Sequence, residues 1–263
     1  MGISKEERNK QIRDRLGLCF ITKYGESFVI IKYESIKEVK IKFQNGYEKN
    51  TRWGEIIKDE ISTPYSKTVC GIGYLGEGKY TGKKYPKIYQ QWHSMIQRCY
   101  DPYHLNKRPT YIDCFVCEEW HNFQNFAKWW DEHVYNCNNE KMCLDKDILI
   151  KGNKIYSPET CSIVPEKINL LFIKSDKRRG KYPIGVVIYY DKRCSCKCLV
   201  AHCNYNKKSK TLGYFPIDKP FQAFTCYKNF KENYIKQVAD EYKDLIPKKL
   251  YDAMYNYQVE ITD

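Results

Sequence analysis

The chain has 263 residues, of which 42% are hydrophobic and 15% aromatic, enough to fill the cores of two or three domains. Its 45 lysines and arginines outnumber its 32 acidic residues, and the net charge of +13 favours a polyanionic partner. No apolar run approaches the roughly 18 residues of a membrane span, and the first eight residues are too charged for a signal peptide. We therefore expect a soluble cytoplasmic protein whose 13 scattered cysteines are reduced thiols.

Residues 1–75 form the first predicted domain, a β-rich module. Residues 28–33 form one run that is apolar except for Lys32, and residues 39–43 alternate with a period of two, as in strands. Asn45 and Gly46 both tolerate positive φ, so they predict a type I′ hairpin turn. Lysines and arginines along these strands could contact phosphates, although a purely structural β-unit fits the same pattern.

Two amphipathic helices follow a glycine-rich linker over residues 62–86. The first begins near Pro86, and the second contains Trp120; their apolar residues recur at helical spacing, which predicts that the two helices pack together. Between them lies a Cys114-x-x-Cys117 pair. A structural zinc site needs four ligands, usually from two such pairs, and no second pair follows. The spacing therefore predicts buried thiols and makes structural zinc an unfavoured alternative.

The most informative stretch, the finger segment, runs from Cys143 to Phe172. Its predicted elements are, in order, a strand over 144–149, a turn at Gly152-Asn153, a turn at 157–159, an apolar run at 163–164 and a helix over 166–172. Asp and Asn lie at the joints between these elements. An ordinary β-hairpin with polar turns fits the same residues, because Asp, Asn and Gly are common in turns.

This strand, turn, strand, helix layout resembles the ββα-metal finger of the HNH endonuclease superfamily, and more closely the HNH-like proteins of bacteriophages. The resemblance continues upstream through Trp92-x-x-Met95-x-x-Arg98-Cys99-Tyr100 and Val116-Cys117-Glu118-Glu119-Trp120. It implies a second domain over residues 76–174. In that family the first strand supplies a metal ligand followed by a general-base histidine, the turn supplies an asparagine that orients the base, and the helix supplies a last ligand.

The resemblance implies one divalent ion, Mg²⁺ or Mn²⁺, with Asp145 and Asn169 as its ligands. Asn153 takes the place of the turn asparagine. Lys146 stands where the histidine is expected, so Lys146, Asp147 or solvent held by the ion has to serve as the base. We expect a DNA endonuclease, of which a homing-type nickase is one form. The missing histidine leaves a non-catalytic DNA-binding or counter-defence protein, or an inhibitor of a nucleoprotein partner, as alternatives.

The third predicted domain spans residues 175–263. It opens on a basic hinge, which we expect to neutralise phosphates through Lys177, Arg178, Arg179 and Lys181. Three strands follow, then a long helix from Pro220 whose buried face is predicted to comprise Ala223, Phe224, Tyr227, Tyr234, Ile235, Val238 and Tyr242. A last short helix is predicted from Pro247 to about Tyr257.

This arrangement resembles the AP2-type DNA-binding domain, whose sheet enters the major groove of double-stranded DNA. The resemblance implies that five side chains of the sheet and its turns face DNA: Tyr189, Lys192, Arg193, Lys197 and Lys210. A small α+β fold with lysines that serve solubility is the alternative.

The predicted fold class is thus α+β: a β-rich N-terminal module, a central HNH-like finger with flanking helices, and a C-terminal three-stranded sheet with a helix. The phage resemblance implies the cytoplasm of a bacterial host. We expect a chain that ends near Ile173 to keep the finger, because the helices of Trp92 and Trp120 would complete its core.

Overall fold

A computed structural model describes residues 4–173, 181–191, 196–206 and 208–263. The fold is mixed α+β, as predicted, and the chain divides into two compact units, residues 1–131 and 132–263. In these described ranges no helix is long and apolar enough to cross a membrane.

The first unit begins with helix α1 (Lys5–Arg15) and a four-stranded antiparallel sheet. The strands β1 (Cys19–Ile21), β2 (Ser27–Ser35), β3 (Glu38–Phe43) and β4 (Glu48–Thr51) are neighbours in chain order, and the short helix α2 (Trp53–Ile57) follows. In β3 the apolar residues Val39, Ile41 and Phe43 are buried and the lysines between them are not, which confirms the period-two prediction for residues 39–43. In β2 the alternation is broken at Ile31 and Lys32, which are both exposed. The core of the sheet is made by Phe28, Ile30, Tyr33, Val39, Ile41, Phe43, Ile56 and Ile61.

The turn between β3 and β4 differs from the predicted type I′ geometry. Gly46 has φ +89°, but Asn45 is not among the residues with positive φ. The backbone N–H of Gly46 donates to the carbonyl oxygen of Phe43 at 2.9 Å, and the N–H of Phe43 donates to Tyr47 at 2.8 Å. One residue with positive φ suffices because the loop is longer than two residues, so that a β-turn is followed by one left-handed residue.

The second half of this unit is helical. It contains α3 (Pro86–Tyr100), α4 (Pro102–Lys107), a 3₁₀ turn (Pro109–Tyr111), the short strand β5 (Phe115–Val116), a second 3₁₀ turn (Glu118–His121) and α5 (Phe123–His133). The predicted packing is present: the indole N–H of Trp92 donates to the carbonyl oxygen of Trp120 at 2.7 Å, and the rings of Trp92 and Phe123 lie 5.3 Å apart. Trp92, Trp120, Phe123 and Phe126 are fully buried.

The second unit starts with the finger segment. Strand β6 (Met142–Asp145) pairs antiparallel with β8 (Ser162–Pro165), and Asp145 lies opposite Ser162 at the end of the ladder. Between them come a loop, with Gly152 at φ +77°, and the short strand β7 (Ile155–Tyr156). Helix α6 (Glu166–Leu171) follows β8 directly. The segment therefore runs strand, loop, strands and helix, but the strand predicted over 144–149 is too long: β6 ends at Asp145, where the chain bends away from the ladder.

A three-stranded antiparallel sheet and two helices complete this unit. The strands β9 (Val186–Asp191), β10 (Cys196–Tyr205) and β11 (Lys208–Phe215) lie in the order β11-β10-β9, and helix α7 (Pro220–Glu241) packs on one face. A final helix, α8 (Lys248–Tyr255), lies against α7. Every residue predicted to form the buried face of α7 is buried.

Helix α7 belongs to two hydrophobic cores at once. Its first turns bury Ala223, Phe224 and Tyr227 against the sheet. Its later turns join the core of the finger segment, where the buried residues are Ile148, Val164, Ile168 and Leu171 from the segment and Tyr234, Ile235, Val238, Ala239 and Tyr242 from the helix. The expectation that the finger survives in a chain ending near Ile173 conflicts with this arrangement, because such a chain lacks α7.

Candidate functional site

Asp145 is held at the end of β6 by the backbone that follows it. One carboxylate oxygen, Oδ1, accepts the N–H groups of Asp147 and Ile148, each at 2.8 Å. Both hydrogen bonds use the same oxygen, so Oδ2 is the one through which this carboxylate could bind an ion. A short polar residue that accepts backbone N–H groups two and three positions later is typical of Asp at the start of a turn.

The surroundings of Asp145 disfavour its charge. Burial raises the pKa of the Asp145 carboxyl above its usual range, although the backbone N–H groups of Ile148 and Asp147 lower it, as does the charge of Lys146. The neighbouring Asp147 carboxylate raises it further. A cation at this position would favour the ionised form.

Lys146 lies in the position where the resemblance expects a histidine, and its amine is already engaged. The side chain is only 8% exposed, and Nζ donates to Asp147 Oδ1 at 2.7 Å and to the carbonyl oxygen of Asn153 at 2.6 Å. As an ammonium, this group only donates hydrogen bonds and has no lone pair with which to accept a proton. Lys146 therefore links the two ends of the loop, while the carboxylate of Asp147 is 48% exposed.

Asn153 ties the loop from the other side. Its amide nitrogen donates to the carbonyl oxygens of Lys146 at 2.9 Å and Ile155 at 2.7 Å, and its Oδ1 accepts the N–H of Ile155 at 3.2 Å. With Lys146 Nζ donating back to Asn153, the two residues form a reciprocal brace. The brace fixes the backbone at Lys146, which fits the predicted orienting role of the turn asparagine.

Asn169 lies on α6, which packs against both β6 and β8. Its side chain is partly buried and follows the fully buried Ile168. No hydrogen bond involves the Asn169 amide group within the part of the chain that the structure describes. Carboxylate and amide oxygens suit Mg²⁺, which is typically bound by one or two protein oxygens while waters and substrate phosphates complete its shell. Asp145 and Asn169 offer donors of that type.

Sequence reasoning missed the C-terminal residues that lie beside this site. Lys151, in the loop after β6, donates through Nζ to Asp263 Oδ2 and to the carbonyl oxygen of Gln258, both at 2.9 Å. Its Nζ also lies 5.2 Å from the centre of the Tyr257 ring. The pKa of the Tyr257 hydroxyl is raised by burial and by nearby carboxylates, Asp145 among them. No local pattern could signal contacts between residues more than a hundred positions apart.

The three-stranded sheet has an open face that carries aromatic residues. Tyr189 lies opposite Cys198, and Tyr214 lies opposite Val200. Val200 alternates along β10 with Leu199, which is buried against α7, so both tyrosines are on the other face. Their rings meet edge to face at 5.9 Å, and Tyr214 is 64% exposed. Within the described strands, the register brings no lysine or arginine onto this face.

The other predicted nucleic-acid residues do not gather around Tyr189. Lys197 lies opposite Tyr190, on the helix side of the sheet, near the exposed end of β10. Lys210 is also on the helix side, with Nζ 4.8 Å from the centre of the Phe230 ring. Lys181 is exposed, and its Nζ lies 5.6 Å from the centre of the Tyr182 ring. Five predicted residues fall outside the described residues: Lys177, Arg178, Arg179, Lys192 and Arg193.

The Cys114 and Cys117 thiols are not joined in a disulfide, and Cys114 Sγ lies 3.8 Å from the carbonyl oxygen of Thr110. Among the described residues, no group of three or more His, Cys, Asp or Glu side chains is arranged to hold a metal ion.

Comparison of the chain with protein-family models, with curated proteins and with solved structures gave no match.

Proposed function

We propose that this protein binds double-stranded DNA and cleaves its phosphodiester backbone at the finger segment, with one divalent ion held by Asp145 and Asn169. The observation that carries the proposal is the position of Asp145. It ends the first strand of an antiparallel pair, one of its oxygens is fixed by two backbone N–H groups, and the helix bearing Asn169 packs on the same strand. The resemblance to HNH endonucleases motivates the choice of reaction.

Three residues of the finger segment would have separate roles in the proposed cleavage. A divalent ion in such a site, when bound, stabilises negative charge on the phosphate and on the leaving oxygen. Asp147 is the general-base candidate, because its carboxylate is half exposed and lies two residues from Asp145. Lys146 is a positioning residue: its buried ammonium holds Asp147 on one side and the Asn153 carbonyl on the other. Asn153 keeps that brace closed.

DNA would be held by the net charge of +13 and by the three-stranded sheet. The exposed pair of Tyr189 and Tyr214 suits contact with base edges and sugars in a groove, because each tyrosine has an apolar ring and a hydroxyl that can form a hydrogen bond. Phosphate contacts would come from lysines and arginines elsewhere on the chain.

A second candidate function, DNA binding without cleavage, is favoured by the state of Lys146. An ammonium buried in two hydrogen bonds cannot replace the general-base histidine expected at that position. In that case the finger segment would be a structural scaffold of a regulator or counter-defence protein. An inhibitor that uses its basic surfaces on a nucleoprotein partner is the remaining alternative.

Supercoiled plasmid separates these functions when nicking and binding are measured side by side with Mg²⁺, with Mn²⁺ and with EDTA. We expect nicking that requires the metal, and a loss of about a hundredfold or more in Asp147→Asn, the usual scale for a missing general base. Asp252→Asn is the matched control, because Asp252 is also half exposed and paired to a lysine, at 2.8 Å. Tight, salt-sensitive binding without nicking under any metal would establish the second function. No binding to DNA would leave only the inhibitor.

A further inference from the structure

Two aromatic side chains beside the N-terminal sheet, Tyr33 of β2 and Trp53 of α2, contact an arginine, and Phe20 of β1 packs against Trp53. The ring of Trp53 meets Tyr33 at 6.1 Å and Phe20 at 6.2 Å, in both cases edge to face. The guanidinium carbon of Arg15 lies 4.2 Å from the centre of the Trp53 ring and 5.0 Å from that of Tyr33. Arg15 also donates a hydrogen bond to the Tyr33 hydroxyl. The group formed by Phe20, Tyr33 and Trp53 is called the aromatic cage below.

The cage holds the guanidinium by ring faces and not by an opposite charge. No carboxylate of the described chain forms an ion pair with Arg15, so its attraction to the site comes from the rings and from one hydroxyl oxygen. Cation–π attraction of this kind is strongest with tryptophan and selects flat, weakly hydrated cations such as guanidinium. The chemistry of the cage is therefore specific for a class of cation.

The helix that supplies Arg15 is weakly attached to the sheet. No residue of α1 is buried, and only Ile12 adds a partly buried apolar contact to the core of the sheet. Arg8 contributes one hydrogen bond, from Nε to the carbonyl oxygen of Glu34 at 3.1 Å. Two residues after the helix comes Gly17, which has φ +80° and no atom within 4 Å of the place where a side chain would begin; its N–H donates to the carbonyl oxygen of Ile30 at 2.9 Å. Glycine at this joint allows the backbone to turn.

We propose that the aromatic cage is a binding site for an arginine side chain of a partner protein, and that Arg15 is a resident occupant which the partner displaces. The occupant identifies the ligand, because a site already filled by a guanidinium has the size and the hydrogen-bond acceptor for another. The low burial of α1 makes the exchange feasible, since few contacts are lost when the helix leaves. This site is independent of the proposed DNA cleavage.

The test uses the full chain and ethylguanidinium as the probe, followed by the indole N–H signal of Trp53 in two-dimensional NMR spectra. Arg15→Ala empties the cage and should bind the probe at least about tenfold more tightly than the wild type, which must first release Arg15. Ethylammonium should bind several-fold more weakly, and the neutral N-ethylurea should not bind. In the wild type, a glycine-flanked arginine peptide should shift the Trp53 signal and the signals of α1 together.

Arg13→Ala is the matched control, because Arg13 is an exposed arginine on the same helix and its loss should leave probe binding at the wild-type level. Equal affinity of Arg15→Ala and wild type for ethylguanidinium, or equal shifts with N-ethylurea, would show that Arg15 is only a structural brace. So would loss of the sheet's circular dichroism in Arg15→Lys, which retains the charge. If only Arg15→Ala fails to fold, Arg15→Lys is titrated in its place against the same criteria.

Discussion

Replacing Asp145 by alanine and by asparagine should change stability in different directions. Asp145→Ala removes the oxygen that accepts two N–H bonds of 2.8 Å and leaves the amides of Asp147 and Ile148 without that partner. A hydrogen bond contributes about 1 kcal/mol net, and more when the acceptor is charged, so the alanine variant should lose about 2 kcal/mol. With a urea m-value of about 2 kcal/mol/M, the unfolding midpoint would fall by about 1 M.

Asp145→Asn keeps an oxygen acceptor in the same place but removes the charge. Because burial raises the pKa of Asp145 in the folded protein, the ionised carboxylate costs stability there. That cost is absent below the unfolded-state pKa, grows as the pH rises from there to the folded-state pKa, and is fully present above it. The asparagine variant should therefore match the wild type near pH 4 and equal or exceed its stability at pH 7.

The assay is urea denaturation in EDTA, followed by circular dichroism at several pH values, with Asp252→Ala as the control. Asp252 is in an exposed ion pair and should change stability by less than about 0.5 kcal/mol. If Asp145→Asn loses as much stability as Asp145→Ala at pH 7, the negative charge holds the turn and the reasoning fails. Both variants should lose metal-dependent nicking if the proposed function is correct.

Three further results are expected. Ile235→Ala should lower the free energy of unfolding by about 3 kcal/mol, because Ile235 is fully buried. It should also speed hydrogen exchange in both β8 and β10, because α7 packs in both cores. Faster exchange in β10 alone would contradict this. Lys231→Met should be more stable than the wild type at pH 7, because burial lowers the pKa of the Lys231 amine. The wild type gains stability as the pH rises toward the unfolded-state pKa of lysine, so the difference should disappear toward pH 11. Elemental analysis should find no stoichiometric zinc, since Cys114-x-x-Cys117 lacks a second pair.

Local patterns in the sequence predicted the helices and strands well. The alternation along β3 and the apolar spacing of α3, α5 and α7 each report how one element meets its own core, and each prediction is confirmed. The helical periodicity could not say which cores α7 would join. Its later turns complete the finger segment, because Ile235 and Val238 meet Val164 and Ile168 from a distant part of the chain.

The candidate site was predictable only in part for the same reason. Asp145, Lys146 and Asn153 lie within one loop, and the hydrogen bonds that join them are short-range. Nothing in the sequence indicates the two hydrogen bonds that Lys146 Nζ donates in the structure. As an ammonium held by these bonds, Lys146 cannot act as the general base. The contact of Lys151 with Asp263 spans 112 residues and has no local signature.

The face on which Lys210 lies depends on a bulge in β11. Strict alternation from the exposed Tyr214 would bring Leu212 and Lys210 to the same open face. The register of β11 against β10 shifts at Leu212, and Lys210 instead lies opposite the buried Cys203. A one-residue shift reverses every side chain beyond it. The composition of a strand therefore predicts its surface poorly unless its register is known.

That reversal leads to a prediction about how DNA would be recognised, which rests on the proposed function. Tyr189→Ala and Tyr214→Ala should each weaken binding to a preferred DNA site by about 1–3 kcal/mol, the scale of one good base-edge contact, with little effect on the salt dependence. Lys210→Ala should change neither, because its ammonium packs over the Tyr205 and Phe230 rings on the helix side.

Titration of labelled duplexes from about 50 to 200 mM salt separates the two kinds of contact. A lost phosphate contact lowers the magnitude of the slope of log affinity against log salt by about 0.9, whereas the loss of an uncharged contact to a base edge or sugar leaves the slope unchanged. Lys197→Ala, at the exposed end of β10, is the comparison for a lysine that solvent reaches. If Lys210→Ala reduces the slope and the tyrosine variants bind like the wild type, DNA meets the helix side of this unit, and the open sheet face is not the surface that reads DNA.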